Sequence, residues 1–102
     1  MVLSTKLAGV SYGDRQKNIK SFAYSDLTDC KLIREPENEY DFNAVKVVVG
    51  SLEMGYLPKI VAANIAPEMD SGKRFTAQFE CLNQHHAYDQ VGLKINIFEV
   101  AF

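Results

Sequence analysis

Residues 35–43 read Glu-Pro-Glu-Asn-Glu-Tyr-Asp-Phe-Asn. Pro36 pushes Glu35 away from helical geometry. Asn38, Asp41 and Asn43 can each hydrogen-bond nearby backbone, which is how such residues fix turns. Tyr40 adds an aromatic face. These side chains can accept, donate and stack, so they suit binding better than bond-making. The chain has no glycine-rich phosphate loop, nucleophile elbow or His-Glu-x-x-His motif. Its serines and cysteines have no recognisable catalytic partner in sequence, so no enzyme is expected. The adjacent pair His85-His86 invites a metal reading, but neighbouring histidines rarely point at one ion. Asp89 is the only close carboxylate in that loop. Neither a metal nor a cofactor is expected.

A residue set of this kind needs a rigid frame beside it. The polar stretch lies between an extended segment at 30–34 and the most hydrophobic strand in the chain, residues 44–49. Gly50-Ser51 then suits a two-residue hairpin with positive φ at the glycine. Residues 52–57 form the returning strand, where Gly55 marks a bulge or a close approach of backbone.

The remaining elements follow from pattern. Residues 2–10 read as a first strand with Gly9 near its end. Asp14 is a candidate N-cap for a short helix over 15–22, with Ile19, Phe22 and Ala23 at helical spacing. Residues 24–29 are turn-like. Pro58 opens a second helix, to which Ile60, Val61, Ala63, Ile65 and Met69 bring apolar contacts. Pro67 lies too deep for one undisturbed helix, so a kink or a second short helix is expected there. Asp70-Ser71-Gly72 ends the segment. Residues 74–82 alternate as a half-buried strand, 83–90 form a polar loop, and 91–100 form the last strand, with Leu93, Ile95 and Ile97 on one face. About six strands and two helical segments suggest a small, strongly bent sheet or barrel with helices outside.

Composition narrows the class. The chain has 102 residues, a single domain's length, and 47% hydrophobic with 24% charged residues marks an ordinary globular protein. No apolar run is long enough to span a bilayer and no signal-peptide pattern is present, so a cytoplasmic location away from membranes is expected. A net charge of −2 argues against a large, non-specific phosphate-binding face. It leaves room for a small pocket that holds a few phosphates. Cys30 and Cys81 sit in apolar strand contexts and read as buried thiols rather than a disulfide or zinc site.

Four motifs together carry a resemblance. They are A-G-V-S-Y-G-D-R-Q near the start, R-E-P-E-N-E-Y-D-F-N-A-V-K-V in the middle, M-G-Y-L-P-K-I-V-A-A-N-I-A-P after it, and then G-K-R-F-T-A. On these, nearly the whole chain resembles the HIRAN domain family, known at the N-terminus of DNA repair remodellers and as stand-alone bacterial and phage proteins. The resemblance implies a mainly β fold, an OB-like β-barrel with helices at its side. It implies non-catalytic, metal-independent binding of single-stranded DNA, at the 3′-hydroxyl end, in repair or replication. A helicase or nuclease is the partner protein it suggests.

Site residues carry over one at a time. Asp41 matches the family aspartate that accepts a hydrogen bond from the terminal hydroxyl. Tyr40 and Tyr12 match aromatics lining the end pocket, and Asn38 matches the family asparagine. Lys59 matches a lysine near the DNA backbone, and Tyr56 fills a nearby position that is histidine in some members. Arg15, in the G-x-R-Q context, is a further candidate phosphate contact. Two departures should weaken phosphate binding: Ser11 stands where DNA-binding eukaryotic members tend to have arginine, and Glu39 replaces a common proline.

Each residue also has a plain structural reading. Asp41 and Asn43 stabilise turns in any protein. Tyr12, Tyr40 and Tyr56 could be half-buried aromatics with a wet hydroxyl. Lys59 could be a solvated helix residue, and Arg34 with Glu35 a surface pair worth little. A protein-interaction domain of the same fold, without significant DNA affinity, is the alternative function.

Overall fold

The alternating segment at the end of the chain and the apolar strand in its middle organise the sheet. In chain order the elements are β1 (Val2–Lys6), α1 (Arg15–Phe22), β2 (Asp29–Arg34), β3 (Val45–Val49), β4 (Leu52–Tyr56), α2 (Lys59–Asp70), β5 (Arg74–Gln84) and β6 (Val91–Val100). The structure, a computed structural model, describes residues 2–22, 29–84 and 91–100. The His85-His86 pair, Asp89, Ala23 and most of the turn expected at 24–29 lie outside the described residues, as does the side chain of Phe22.

The six strands form one antiparallel sheet in the order β1-β6-β5-β2-β3-β4. In β6 every second side chain from Val91 to Ile97 is buried, as the period of a half-buried strand requires. Ile19, Cys30, Val45, Val47, Met54, Ile65, Leu93 and Ile95 meet in one core. Burying such a side chain contributes about 1.5–3 kcal/mol each. Cys30 is a buried thiol and Cys81 a half-buried one.

The sheet curls until its two edges touch. Past β1, Ala8 pairs with Tyr56 at the end of β4: Ala8 N donates to Tyr56 O at 2.7 Å and Tyr56 N to Ala8 O at 2.9 Å. Gly55 permits this approach, because a Cβ there would lie 2.7 Å from the Ala8 carbonyl, and its φ is +154°. The β3–β4 register also shifts beside it, between Val47 and Val48. Gly55 therefore sits at both a bulge and a close approach. The Gly50-Ser51 turn forms as expected, with Gly50 at φ +61°. The result is the expected mainly β fold, a curled half-barrel with two helices.

Three expectations need correction. The first strand ends at Lys6 rather than running to residue 10: Ala8 pairs with Tyr56 of β4 instead of continuing along β6, and Gly9 at φ +65° then turns the chain. Pro67 begins no second helix: α2 is one helix from Lys59 to Asp70. Proline removes one N–H and blocks the carbonyl of Ala63, yet both residues are exposed, so water can serve that carbonyl. The inward face of α2 differs in part: Ile65 is buried and Val61 and Met69 pack against the core as expected, but Ala62 and Ala66 are also buried while Ile60 is 80% exposed and Ala63 is exposed. Positions 62, 65 and 66 share one helical face, and 60 and 63 turn away from it. At its end, Ser71 N donates to Pro67 O and Gly72 N to Met69 O, which closes the helix where expected. Among the described residues, no helix is long and apolar enough to cross a membrane.

Candidate ligand-binding cleft

The seam between Ala8 and Tyr56 opens onto a cleft of about 690 Å³. All seven residues singled out above line it: Tyr12, Arg15, Asn38, Tyr40, Asp41, Tyr56 and Lys59. Four parts of the chain supply them. The turn after β1 brings Tyr12, α1 begins with Arg15, the polar loop brings Asn38, Tyr40 and Asp41, and the β4–α2 junction brings Tyr56 and Lys59.

The loop wall is held by side chains bonding to backbone. Asn38 Oδ1 accepts from Tyr40 N at 2.9 Å and Asp41 N at 3.1 Å. Asp41 Oδ1 accepts from Asn43 N at 2.9 Å. Asp41 thus has a turn-stabilising role, and its second oxygen takes no hydrogen bond from the described residues. Glu35 N donates to Ala44 O at 2.9 Å and Ala44 N to Asp41 O at 3.1 Å, closing the base of the loop. On this frame Tyr40 stands 83% exposed, so it is no core aromatic.

The opposite wall is built on a cation. Arg15 Nη1 donates to Gly9 O at 2.7 Å. Its guanidinium carbon lies 4.9 Å from the Tyr56 ring centroid and 5.8 Å from that of Tyr12, within cation–π range. Nη2 lies 3.9 Å from Glu53 Oε2, and the side chain is 14% exposed. Arg15 therefore supports both tyrosines while its charge stays close to the cleft. Tyr12 is 69% exposed. Beyond Tyr12 and Arg15 a second groove, of about 410 Å³, runs between Asp14 and the Ser51–Glu53 turn.

Lys59 is exposed and makes no ion pair with the described residues. It begins α2, whose cap residue Pro58 offers no side-chain acceptor and whose first turn has no acidic residue. The first N–H groups of α2 thus have no side-chain partner, which favours negative charge there.

The alternative of an Arg34–Glu35 surface pair is not what the described residues show. Arg34 Nε and Nη2 each donate to Asp70, both at 3.1 Å. Successive extended residues point to opposite sides, so Glu35 turns the other way. Its Oε1 accepts from the Tyr56 hydroxyl at 2.7 Å and from Asn38 Nδ2 at 3.1 Å, and Oε2 lies 3.2 Å from Lys46 Nζ. Burial raises the Glu35 carboxyl, but the bonds from Tyr56, Asn38 and Lys46 and the Lys46 charge outweigh it and hold the group below its ordinary value. Burial and the Glu35 contact push the Tyr56 phenol up. Lys46 is raised by its bonds to Glu53 and Glu35. Strand alternation signals only that Glu35 lies on the opposite side from Arg34, the side of Lys31 and Ile33, and not which partners it meets there.

Comparison with known proteins bears on the fold and the family. A crystal structure of a Lactobacillus plantarum protein, a structural genomics target, superposes with TM-score 0.73 at 21% identity, covering 97% of each chain. The crystal structure of the HIRAN domain of human HLTF superposes with TM-score 0.70 at 22% identity, covering 96% of this chain and 74% of that one. A Fanconi-associated nuclease 1 homolog from Arabidopsis thaliana is 43% identical over 54 residues, 46% of this chain but 6% of the length of that protein. The HIRAN domain sequence profile matches residues 1–98. With nearly its whole length matched and the fold shared, this chain belongs to the HIRAN domain family.

Proposed function

We propose that the chain is a non-catalytic module that binds single-stranded DNA and holds its 3′-hydroxyl end in the cleft, in a repair or replication context. The observation that carries this reading is the convergence of Tyr12, Arg15, Asn38, Tyr40, Asp41, Tyr56 and Lys59 on one cleft. They come from four separate parts of the sequence; Asp41, Tyr40, Tyr12 and Lys59 match positions that the resemblance places at the DNA, Asn38 matches the family asparagine, Tyr56 stands where some members have histidine, and Arg15 is a further candidate phosphate contact.

The chemistry of each group supports the reading. The exposed rings of Tyr12 and Tyr40 can stack on bases of any identity, at about 1–3 kcal/mol per base. An ionised Asp41 accepts hydrogen bonds and donates none, so its second oxygen suits a terminal hydroxyl and repels a terminal phosphate. Lys59 and the uncapped start of α2 suit the phosphate further in, and Arg15 adds positive potential behind the tyrosines. Two relatives lend context: one is named as a Fanconi-associated nuclease homolog, and the other is the HIRAN domain of HLTF. A helicase or nuclease partner would fit a module that recognises DNA ends.

The second reading is a protein-docking domain. Phe42 is 74% exposed and Ile60 80% exposed, each adjacent in sequence to a residue that lines the cleft. Glu39 and the net charge of −2 disfavour a polyanion. Fluorescence anisotropy with short single strands ending in a 3′-hydroxyl or a 3′-phosphate separates the two. The DNA-end reading expects tighter binding of the hydroxyl end. Equal binding of both ends overturns the end preference, and no binding at low salt favours protein docking.

A further inference from the structure

Glu35 does not line the cleft, yet both walls lead back to it. Its Oε1 receives the Tyr56 hydroxyl from β4 and the Asn38 amide from the polar loop. From Asn38 the bonds continue to the backbone N–H groups of Tyr40 and Asp41. From Tyr56 the contact continues to the Arg15 guanidinium, which also lies against Tyr12. The loop base is already pinned by backbone bonds between Glu35 and Ala44 and between Ala44 and Asp41. What the carboxylate adds is a cross-link from the loop to the opposite wall. Hydrogen bonds to an ionised acceptor are shorter and about twice as strong as neutral ones, so this link holds geometry that a water-filled gap would not.

We infer that Glu35 is a positioning residue for the cleft: it sets the distance between the Asn38–Asp41 wall and the Tyr56–Arg15–Tyr12 wall, and through that distance the preference for a 3′-hydroxyl end. The inference rests on the DNA-end reading above. Lys46 neutralises the other carboxylate oxygen: its side chain pairs with Glu35 and Glu53, and although its backbone lies across the sheet from Tyr56, only Oε1 bonds to side chains of both walls. The two oxygens therefore divide the work, with Oε1 positioning the cleft and Oε2 balancing charge.

The test measures anisotropy for 3′-hydroxyl and 3′-phosphate strands together with thermal melting, on wild type, Glu35→Gln and Lys46→Met. Glutamine keeps the size, but however its amide turns, an N–H₂ group faces either Lys46 or the Tyr56 and Asn38 donors. Glu35→Gln is expected to reduce the ratio of hydroxyl-end to phosphate-end affinity about tenfold, the equivalent of one charge-assisted bond. Lys46→Met should keep the ratio within about twofold, because the Oε1 bonds remain. A Glu35→Gln protein that melts lower but keeps the wild-type ratio overturns the inference and leaves Glu35 a structural prop. A Lys46→Met protein that loses the ratio equally also overturns it, because overall charge would then be the cause. Should Glu35→Gln not fold, Tyr56→Phe removes the hydroxyl that makes the cross-link, from a residue that also lines the cleft, and an unchanged ratio there overturns the inference. A wild-type protein without end preference sinks the DNA-end reading and this inference with it. A wild-type preference that survives in Glu35→Gln sinks the inference alone.

Discussion

The Tyr56 hydroxyl donates to Glu35 Oε1 at 2.7 Å, tying the end of β4 to the loop that leaves β2. The bond spans β3, joining Tyr56 at the end of β4 to the residue just past β2, at the point where the curled sheet closes on Ala8. It also couples the cleft to pH.

The sign follows from each shift. Glu35 is lowered from an ordinary value of 4.5, so its contribution to stability is present above that value and is lost as pH falls through the folded-state value. Tyr56 and Lys46 are raised from ordinary values of 10.0 and 10.5, so their contributions are present below those values and are lost as pH rises through the folded-state ones. Melting temperature should therefore change little on account of these three groups between pH 4.5 and 10.0 and fall on either side. Thermal melts across pH check this. The acid-side fall should be shallower in Glu35→Gln.

Asp41→Asn separates the turn from the terminus. An asparagine oxygen still accepts from Asn43 N, while the second oxygen becomes a donor group. Stability should stay within about 0.5 kcal/mol of wild type by urea midpoint. Preference for the 3′-hydroxyl end should disappear in anisotropy. Asp41→Ala, which also loses the turn bond, should in addition cost about 1 kcal/mol.

Lys59→Ala removes an exposed charge that pairs with no described residue. Binding to hydroxyl and phosphate ends should weaken equally. The slope of log affinity against log salt should flatten by about 0.7, the value of one phosphate contact on a single strand. The melting curve should not move. A selective loss of one end would place Lys59 at the terminus rather than along the backbone.

Gly55→Ala tests the seam itself. The added Cβ would meet the Ala8 carbonyl at 2.7 Å, and φ +154° disfavours a side chain. A loss of about 2–4 kcal/mol is expected by denaturant unfolding. In hydrogen exchange, the amides of Ala8 and Tyr56 should lose protection before those in β6.

Much of the frame follows from local rules. Alternation in β6 names Leu93, Ile95 and Ile97 as one face, and all three are buried. Gly50-Ser51 specifies its turn because few other residues accept positive φ. Pro58 marks the start of α2, and Ser71-Gly72 its end. The resemblance named seven residues, and the fold brings all seven to one cleft, though their roles rest on the proposal above.

The partners across space were not legible in this way. Nothing local says that Ala8 meets Tyr56, since that depends on curvature accumulated over six strands and on a bulge beside Gly55. On α2, Ile65, Val61 and Met69 pack inward as expected, but Ile60 is equally apolar and exposed, because burial is decided by which side the sheet presents. Arg34 and Glu35 are neighbours in sequence and opposite in direction, so Arg34 reaches Asp70 while Glu35 reaches Tyr56, 21 residues away. The sequence alone determined the strands, the turns and the chemical types in the polar loop, because those depend on backbone preferences within a few residues. The tertiary structure alone decided which side chains share Glu35 and which line the cleft, because hydrogen bonds between distant residues exist only once register and curl have set their separation.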